Sequence, residues 1–536
     1  MRTTIVYLAA ALLCGVATDA RAGDWHQWRG PARNGLAPDT GPLLSAFPSD
    51  GLEPVWVSEK ILGDDAGGWG SVAVADGKAY VYSNWKYEVP IESRTLKPQE
   101  LEQLGWKAGI PAELLEKVEA ARLSEERARL EGRAVRNWIN EWIKANLSKE
   151  QNPFRNACYQ RLRQADKAIP AAVGRTLESV LDRTFATASE MQAWLGENSV
   201  HEQWRQEVAR VVRTTEDRAH DNLFCLDAET GTTVWQRELP GVHTQYSSSS
   251  TPCVVGGRCY VQGSGGTLYC LDARTGDTVW QRKAPKVPDG NLASSFVVQD
   301  GIAVLLVGEL MGLDAGSGET RWTQPAVRGA YASAAYWQVG GETLLVCNGE
   351  RDTFCIAPST GEIVWQVPAG GWSTPAIVGD YMAVYTGNND LGLVAYKLAR
   401  PEPERLWNVP GSDRGASPAI HDGHVYAVGG RGSARAICVA LDSGDVRWEQ
   451  KLPSTELASP LVADGKLLQI VNTSLYVIEA TSARYNLLGK ASVGAARCIS
   501  PALVDGKVYL RLKEAVACYD LRAPGASGQV SEAPST

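Results

Sequence analysis

Residues that commonly bind metals or act as nucleophiles are few in this sequence and poorly spaced for such roles. The closest histidine pair, His421 and His424, lies in the stretch HDGH, which fits a solvated turn better than a metal site. The sequence contains no adjacent cysteines, no CxxCH haem motif, no P-loop and no metalloprotease helix. We therefore predict no metal site and assign no catalytic residue.

Aromatic and arginine side chains recur in short, often glycine-containing stretches, such as VRGAY at 327–331 and GGW at 370–372. Arginine beside aromatic rings suits an anionic or aromatic ligand. We expect these side chains to converge if the protein has a small-molecule site. The ligand-binding candidates are Trp69, Tyr246, Arg328, Tyr331, Trp372, Arg414 and Arg497. The alternative is that they only form a solvated rim.

An internal repeat indicates which elements would position these residues. A tryptophan ends each repeat unit, at intervals of 41 to 45 residues. These residues are Trp235, Trp280, Trp322, Trp365, Trp407 and Trp448. Each unit reads as four short strands, which is typical of a propeller blade. The predicted fold is an all-β, eight-bladed β-propeller with a large α-helical insertion in blade one.

An aspartate and a glycine precede the tryptophan at fixed distances, as in Asp227, Gly231 and Trp235. Aspartate at a strand end can accept hydrogen bonds from the turn backbone, and glycine supplies a positive φ. Tryptophan is suited to filling the gap between neighbouring sheets. We interpret this repeat as structural. The docking residues are Trp56, Asp227, Gly231, Trp235, Asp272, Gly276, Trp280, Asp314, Gly318, Trp322, Gly361, Trp365, Trp407, Gly444 and Trp448.

Counting the units gives eight blades. Six end at the repeated tryptophans, and a seventh runs from Ala458 to about Leu488, with Leu487 at the tryptophan position. An eighth starts at Ser500 and lacks a fourth strand. The stretch EPVWVS at 53–58 resembles a tryptophan strand but precedes the first unit. We predict that it closes blade eight, because this pairs the last open sheet edge.

Residues 86–220 interrupt the first blade with helical patterns, for example Leu114, Leu115, Val118 and Leu123 on one predicted helix face. The turn between the second and third strands of a blade lies at the same end as the links between blades. We therefore expect the insertion beside the channel mouth, as a cap or a partner-binding arm.

The ends of the chain have their own signals. Residues 1–22 resemble an export signal, with Arg2, a short apolar core and an Ala-Arg-Ala cleavage site. No other apolar run is long enough for a membrane helix, and a net charge of −8 argues against nucleic acid as a partner. The predicted organisation is a signal peptide (1–22), an N-terminal arm (23–52), the closing strand with the start of blade one (53–85), the insertion (86–220), the rest of the propeller (221–522) and a disordered tail (523–536).

The cysteines favour free thiols over disulfides. Five occupy the same position in different blades, too far apart for a disulfide, which needs Cα atoms within ~7 Å. These are Cys225, Cys270, Cys355, Cys438 and Cys518. We interpret them as small buried side chains. A disulfide between Cys347 and Cys355, which flank one hairpin, remains an alternative.

The Asp, Gly and Trp spacing resembles the docking repeat of the PQQ-like β-propeller family. That family includes quinoprotein alcohol dehydrogenases as well as the outer-membrane assembly factor BamB, which binds no quinone. The stretch DWHQWRGPARNG at 24–35 is similar to the start of secreted PQQ-like propellers of planctomycetes. The resemblance implies a propeller over residues 24–85 and 220–522. The dehydrogenases' disulfide of adjacent cysteines has no counterpart here, and we place none of their calcium ligands.

The sequence thus favours an exported, periplasmic or secreted protein that acts as a non-catalytic binding module or scaffold. We expect it to engage a protein partner or a small anionic or aromatic ligand at the channel mouth and the insertion. The alternative is a PQQ-dependent oxidoreductase with a capped funnel, which would require PQQ and Ca²⁺. A polysaccharide hydrolase or lyase is a third reading, but it requires paired carboxylates that the mouth links do not show.

Overall fold

The computed structural model describes residues 24–48, 51–63, 70–244, 248–287, 292–411, 415–429, 434–453 and 457–525. The chain forms two compact units. The larger, which we call the propeller unit, consists of Met1–Tyr87 and Ala219–Thr536. The smaller, the helical unit, is Glu88–Arg218.

The described part of the propeller unit contains eight antiparallel sheets, which we number as blades one to eight in the chain order of their inner strands. The inner strands are Ala73–Ala75, Cys253–Val255, Val297–Gln299, Ala335–Val339, Ala376–Val378, Ala419–His421, Leu461–Ala463 and Ala502–Val504. The outer strands are Thr233–Pro240, Thr278–Lys283, Thr320–Gly329, Ile363–Val367, Glu404–Val409, Val446–Lys451, Leu487–Ser492 and Trp56–Val57.

Two middle strands complete seven of these sheets. The second strands are Lys78–Pro90, Arg258–Gln262, Glu342–Asn348, Tyr381–Tyr385, His424–Gly429, Lys466–Val471 and Lys507–Arg511. The third strands are Thr215–Asp227, Thr267–Asp272, Thr353–Ile356, Leu393–Lys397, Arg435–Ala440, Ser474–Glu479 and Val516–Asp520. A short 3₁₀ turn, Ser264–Gly266, separates the two middle strands of blade two.

Blade three differs, because one continuous strand, Ile302–Asp314, stands where the other blades have two. Its first residues pair with the inner strand, and the part from Gly308 onward pairs with the outer strand. Gly308 has a φ of 75° and lies where the pairing passes from one neighbour to the other. The expectation of four strands in every unit is therefore wrong for this blade.

Blade eight takes its outer strand from the start of the chain. Trp56 pairs with Cys518 and Val57 with Ala517, in antiparallel register. The sheet order therefore places Trp56–Val57 beside Val516–Asp520. This pairing covers a strand edge that would otherwise be open, and it joins the two ends of the propeller.

A ring of hydroxyl side chains links the inner ends of all eight sheets. The backbone N–H of each ring residue donates to the side-chain hydroxyl of the ring residue in the next blade, at 2.9–3.1 Å. The last bond, from Ser500 to Ser71, closes the circle. The ring residues are Ser71, Thr251, Ser295, Ser333, Thr374, Ser417, Ser459 and Ser500. All eight are buried, so each bond satisfies a backbone donor that water cannot reach.

The repeated tryptophans hold each blade to the next one at the outer side. The Trp235 Nε1 donates to the Ala273 carbonyl of blade two at 3.0 Å, and Trp56 donates likewise to Ala228 of blade one. A Cβ on Gly276 would lie 2.7 Å from the Trp235 ring, so glycine is the residue that this contact accommodates. Gly231, Gly318, Gly361 and Gly444 have the same relation to the tryptophan of the preceding blade.

The aspartates fix the turn that carries this glycine. Asp227 Oδ1 accepts hydrogen bonds from the backbone N–H groups of Glu229 and Thr230. Asp272 and Asp314 accept equivalent bonds in their own turns. The turn geometry and the tryptophan contact therefore depend on one another.

The cysteines of the repeat lie directly across a strand pair from the tryptophan. Cys225 pairs with Trp235 and Cys270 with Trp280, where a small side chain leaves room for the indole. Burial raises the pKa of both thiols to about 12, which keeps them protonated and unreactive. All ten cysteines from Cys158 to Cys518 are free. The alternative of a Cys347–Cys355 disulfide is therefore wrong, because these residues oppose Phe354 and Val346 instead of each other.

Blade seven replaces the tryptophan in a way that the sequence did not indicate. The register pairs Val477 with Gly489, so Gly489 and not Leu487 stands at the tryptophan position. A Cβ on Gly489 would lie 2.9 Å from the ring of Phe47. An aromatic side chain from the N-terminal segment therefore packs where the repeat lacks its own.

Residues 24–37 are the first part of the predicted N-terminal arm, and the name arm is kept below for this part alone. The arm contacts the inner strands of successive blades. Trp25 pairs with Val74 of blade one, and the His26 carbonyl accepts from Val254 of blade two. Near its other end, the Gly35 carbonyl accepts from Val462 of blade seven. The residues that the arm contacts follow the ring residues in the chain, as Val74 follows Ser71. The arm therefore crosses the centre of the propeller on the inner-strand side of the hydroxyl ring.

Two buried arginines fix the arm in place. Arg33 Nε donates to the Ala334 carbonyl at 2.6 Å, and its Nη1 donates to the Phe296 carbonyl at 2.8 Å and to Gln27 Oε1 at 2.9 Å. Arg29 Nη2 donates to the carbonyls of Asn34 and Pro418. Burial, with the charge of Arg33 nearby, lowers the pKa of Arg29 to about 9.

The helical unit has its own apolar core. Its helices are Pro98–Gln103, Ala112–Arg122, Glu125–Ala128, Gly132–Asn146, Arg155–Gln164, Ala171–Glu178, Ala188–Glu197 and Glu202–Val211. Two 3₁₀ turns, Asn152–Phe154 and Ala165–Lys167, and a two-stranded sheet of Arg94–Thr95 and Thr184–Phe185 complete it. Leu114, Leu115 and Val118 are buried as the periodicity predicts. Leu123 is not buried, because the helix ends before it, and it is 60% exposed.

The tryptophan contacts can be tested with a matched pair. Trp407 Nε1 donates to Leu441 of the next blade at 2.8 Å, whereas the buried Trp365 Nε1 has no partner among the described residues. We expect Trp407→Phe to lower the free energy of unfolding by about 1 kcal/mol more than Trp365→Phe, because only the first change removes a hydrogen bond. Urea titration of both variants measures the difference, and equal losses would contradict it.

The role of Arg33 can be tested by Arg33→Met, which keeps the length of the side chain. We expect the free energy of unfolding to fall by about 3 kcal/mol or more, because the buried carbonyls of Ala334 and Phe296 lose their donor. Proteolytic cleavage of the arm should accelerate as well. The control is Arg129→Met, because the Arg129 side chain is 77% exposed. We expect this change to lower the free energy of unfolding by about 0.5 kcal/mol or less.

Candidate functional site

The mouth of the channel is built from the residues that precede the hydroxyl ring. Seven of the eight ring residues have a described residue two positions earlier that lines one cavity. In the described residues these are Ser249, Ala293, Tyr331, Trp372, Gly415, Leu457 and Cys498. Together with Ser295, Ser333, Thr374 and Trp28, they line a cavity of about 130 Å³, which we call the mouth cavity.

Tyr331 and Trp372 are the dominant surfaces of this cavity. They come from blades four and five and stack with their ring centroids 4.2 Å apart and an interplanar angle of 28°. The same two rings line a second cavity of about 170 Å³ that also includes Asn348 and Glu350. Both rings are half-buried.

The other sequence-predicted ligand-binding residues have different surroundings. Arg328 is exposed, its Nε donates to the Pro325 carbonyl at 3.2 Å, and it lines neither cavity. Arg497 is exposed and lines neither cavity. Trp69, Tyr246 and Arg414 lie outside the described residues. The structure therefore brings together Tyr331 and Trp372, and of the two described arginines neither lines their cavities.

Several residues at this site were not predicted from the sequence. Trp28 belongs to the arm and reaches the mouth cavity from the far side of the ring. Leu457 and Cys498, which precede Ser459 and Ser500 by two positions, line the cavity as well. The repeated small residue before each inner strand, as in SSTP at 249–252 and GASP at 415–418, is the signal that could have identified the ring and this set.

The described lining of the mouth cavity carries no charged side chain. Among the described residues, no group of three or more His, Cys, Asp or Glu side chains is arranged to hold a metal ion. PQQ is a planar tricarboxylate that binds with Ca²⁺, so a site for it needs cationic groups and oxygen ligands. Both cavities are also smaller than the ~300 Å³ at which small-molecule sites begin. The described residues therefore do not fit this cofactor.

The solved structures that this chain resembles include BamB and quinohemoprotein alcohol dehydrogenases. BamB from Moraxella catarrhalis is 15% identical, with 56% of this chain and 88% of that chain covered and a TM-score of 0.45. A quinohemoprotein alcohol dehydrogenase from Pseudomonas putida HK5 is 12% identical, with 96% and 82% covered and a TM-score of 0.41. A quinohemoprotein alcohol dehydrogenase from Comamonas testosteroni is 12% identical, with 59% and 75% covered and a TM-score of 0.39.

None of the helices in the described parts has the length and apolar character needed to span a bilayer.

Comparison of the sequence with known proteins identifies one family. No curated protein matches this chain. One family model, described as outer membrane protein assembly factor BamB, matches residues 208–340 and 307–522. The predicted PQQ-like β-propeller is thereby confirmed. Because this match extends over more than half of the 536 residues, the chain belongs to that BamB-like family of PQQ-repeat propellers.

Proposed function

We propose that this chain is an exported, non-catalytic binding or scaffold propeller that engages a partner protein at its channel mouth. The observation that supports this most is the character of the mouth cavity: two stacked aromatic rings and an uncharged described lining. Such a surface offers no described acid, base or nucleophile pair for a reaction. The family description, which names an assembly factor, supports a binding role and a place in the periplasm or at the outer membrane.

The size of the mouth cavity favours a single inserted side chain. A volume of about 130 Å³ is that of one large apolar or aromatic group, not of a drug-sized ligand. Stacked aromatic rings at the centre of a contact surface act as anchors, because they bury a large area with few rotatable bonds. The occupant that fits is therefore an aromatic or aliphatic side chain of a partner, or a small aromatic ligand.

The hydroxyl ring and the arm hold the two anchor rings, Tyr331 and Trp372, in a fixed position. Tyr331 and Trp372 stand two residues before Ser333 and Thr374, whose hydrogen bonds fix their backbones. The arm lies across the opposite side of the ring. The anchor rings are therefore preorganised, which reduces the entropy cost of binding.

The competing proposal is a PQQ-dependent oxidoreductase. Calorimetric titration of the chain from Gly23 to Thr536 with PQQ and Ca²⁺ separates the two. We expect no saturable heat and no change in melting temperature. Stoichiometric binding with a raised melting temperature would overturn the binding-protein proposal, since a ligand that binds only the folded state stabilises it.

The anchor role can be tested on a captured partner. A bait chain is cross-linked in a periplasmic extract, and the partner that it retains is identified and purified. We expect the double variant Tyr331→Ala and Trp372→Ala to weaken its affinity at least about tenfold, because aromatic anchors each contribute on the order of 2 kcal/mol. The control is Val446→Ala, an outer-strand side chain that is 46% exposed. Equal affinity of the double variant and the control would sink the proposal.

A further inference from the structure

A large cavity lies within the helical unit, and none of its lining residues belongs to the channel mouth. Its volume is about 850 Å³, within the range of ligand-binding clefts. Three stretches form its walls, 122–128, 163–169 and 203–210. We call it the insertion cleft.

The insertion cleft is positively charged. Its lining contains four arginines and one lysine, with Asp166 and Glu207 as the only acidic residues among the described lining. Arg122 is paired with Glu119, and Arg210 with Glu207. The other three cations, Arg127, Arg163 and Lys167, form no ion pair with a described carboxylate. The cleft therefore carries a positive potential that the described residues do not neutralise.

The cationic wall is rigid because one of these arginines supports the backbone behind it. Arg127 is 8% exposed, and its Nε and Nη2 donate to the carbonyls of Leu162 and Arg163, both at 2.7 Å. Arg122 Nη1 donates to the nearby Ala165 carbonyl at 2.6 Å. A cation is favoured at the carbonyl end of a helix such as Arg155–Gln164. These bonds hold the segment from which Arg163 and Lys167 project into solvent.

Apolar surface accompanies the charge. Leu123 is 60% exposed, which is high for a leucine, and it lies on the cleft wall. Trp204 is half-buried on the same lining, in the helix Glu202–Val211. A bare inorganic anion would leave both of these side chains in water. The occupant that satisfies the whole lining carries several carboxylates and at least one apolar group.

We propose that the insertion cleft binds an acidic peptide segment of a partner protein, one in which carboxylates alternate with apolar side chains. Such a segment would place its carboxylates against the exposed Arg163 and Lys167 and its apolar groups against Leu123 and Trp204. The chain's overall charge of −8 disfavours a nucleic acid as the polyanion. The inference extends the proposed binding function to a second site, which uses none of the residues of the channel mouth.

The test is fluorescence polarisation of a short labelled peptide of alternating glutamate and leucine, titrated with the full chain. We expect saturable binding that weakens with added salt, as the screening length falls from ~10 Å at 0.1 M to ~3 Å at 1 M. The double variant Arg163→Glu and Lys167→Glu should weaken the Kd at least about tenfold, through loss of attraction and new repulsion. Both side chains are exposed, so the fold should tolerate the changes.

A matched control makes the same change of charge elsewhere on the helical unit. Lys144→Glu with Lys149→Glu alters two exposed lysines that do not line the cleft, and it should leave the Kd within about twofold of the original. Leu123→Ser should weaken binding several-fold, because it removes apolar surface from the cleft wall. Equal Kd values for the two double variants, or no binding by the unaltered chain, would overturn the proposal. Binding of inorganic pyrophosphate together with no binding of the peptide would also overturn the proposal and would indicate a small-anion site.

Discussion

The closed ring of eight hydroxyl residues is the constraint on which the rest of the propeller depends. Each inner strand has a backbone donor that is buried at the axis, where water cannot satisfy it. The neighbouring serine or threonine supplies the acceptor at 2.9–3.1 Å, and the bond from Ser500 to Ser71 leaves no member unpaired. A missing blade would leave one donor and one hydroxyl without partners, which is costly in a buried place. The ring therefore fixes the angle between blades as well as their number in the described chain.

The tryptophan contacts complete this arrangement at a larger radius. The ring links neighbouring blades near the axis. Five of the seven indoles link them farther out through a hydrogen bond and a glycine that leaves space for the ring. Two exceptions show how the contact tolerates change. Blade seven presents Gly489 in place of the indole, and Phe47 fills the gap. Trp365 keeps its apolar contact but has no described hydrogen-bond acceptor.

Both candidate sites contain side chains that the supporting hydrogen bonds of the fold do not require. In the propeller, the described positions two residues before the ring line the mouth cavity but are not needed for the ring's hydrogen bonds, so they vary from Gly415 to Trp372. In the helical unit, the buried arginines that hold helix ends leave exposed cations at the edge of a cleft. Binding surfaces can therefore be altered at both places without disturbing the elements that support them.

The sequence by itself determined the repeat, and with it the propeller. A period of about 43 residues with Asp, Gly and Trp at fixed offsets is a local pattern, and it is legible because every blade repeats the same physical contact. It also indicated Tyr331 and Trp372, because aromatic residues stand out in links otherwise made of small residues. The remaining features involve residues far apart in the chain, and no local pattern encodes them. Only the tertiary structure showed that Arg33 binds carbonyls about 260 to 300 positions away, that Phe47 replaces an indole at Gly489, and that Arg328 and Arg497 do not line the described mouth. The residues that line the mouth are brought together by the links beside the ring, and the ring exists only once all eight blades have closed.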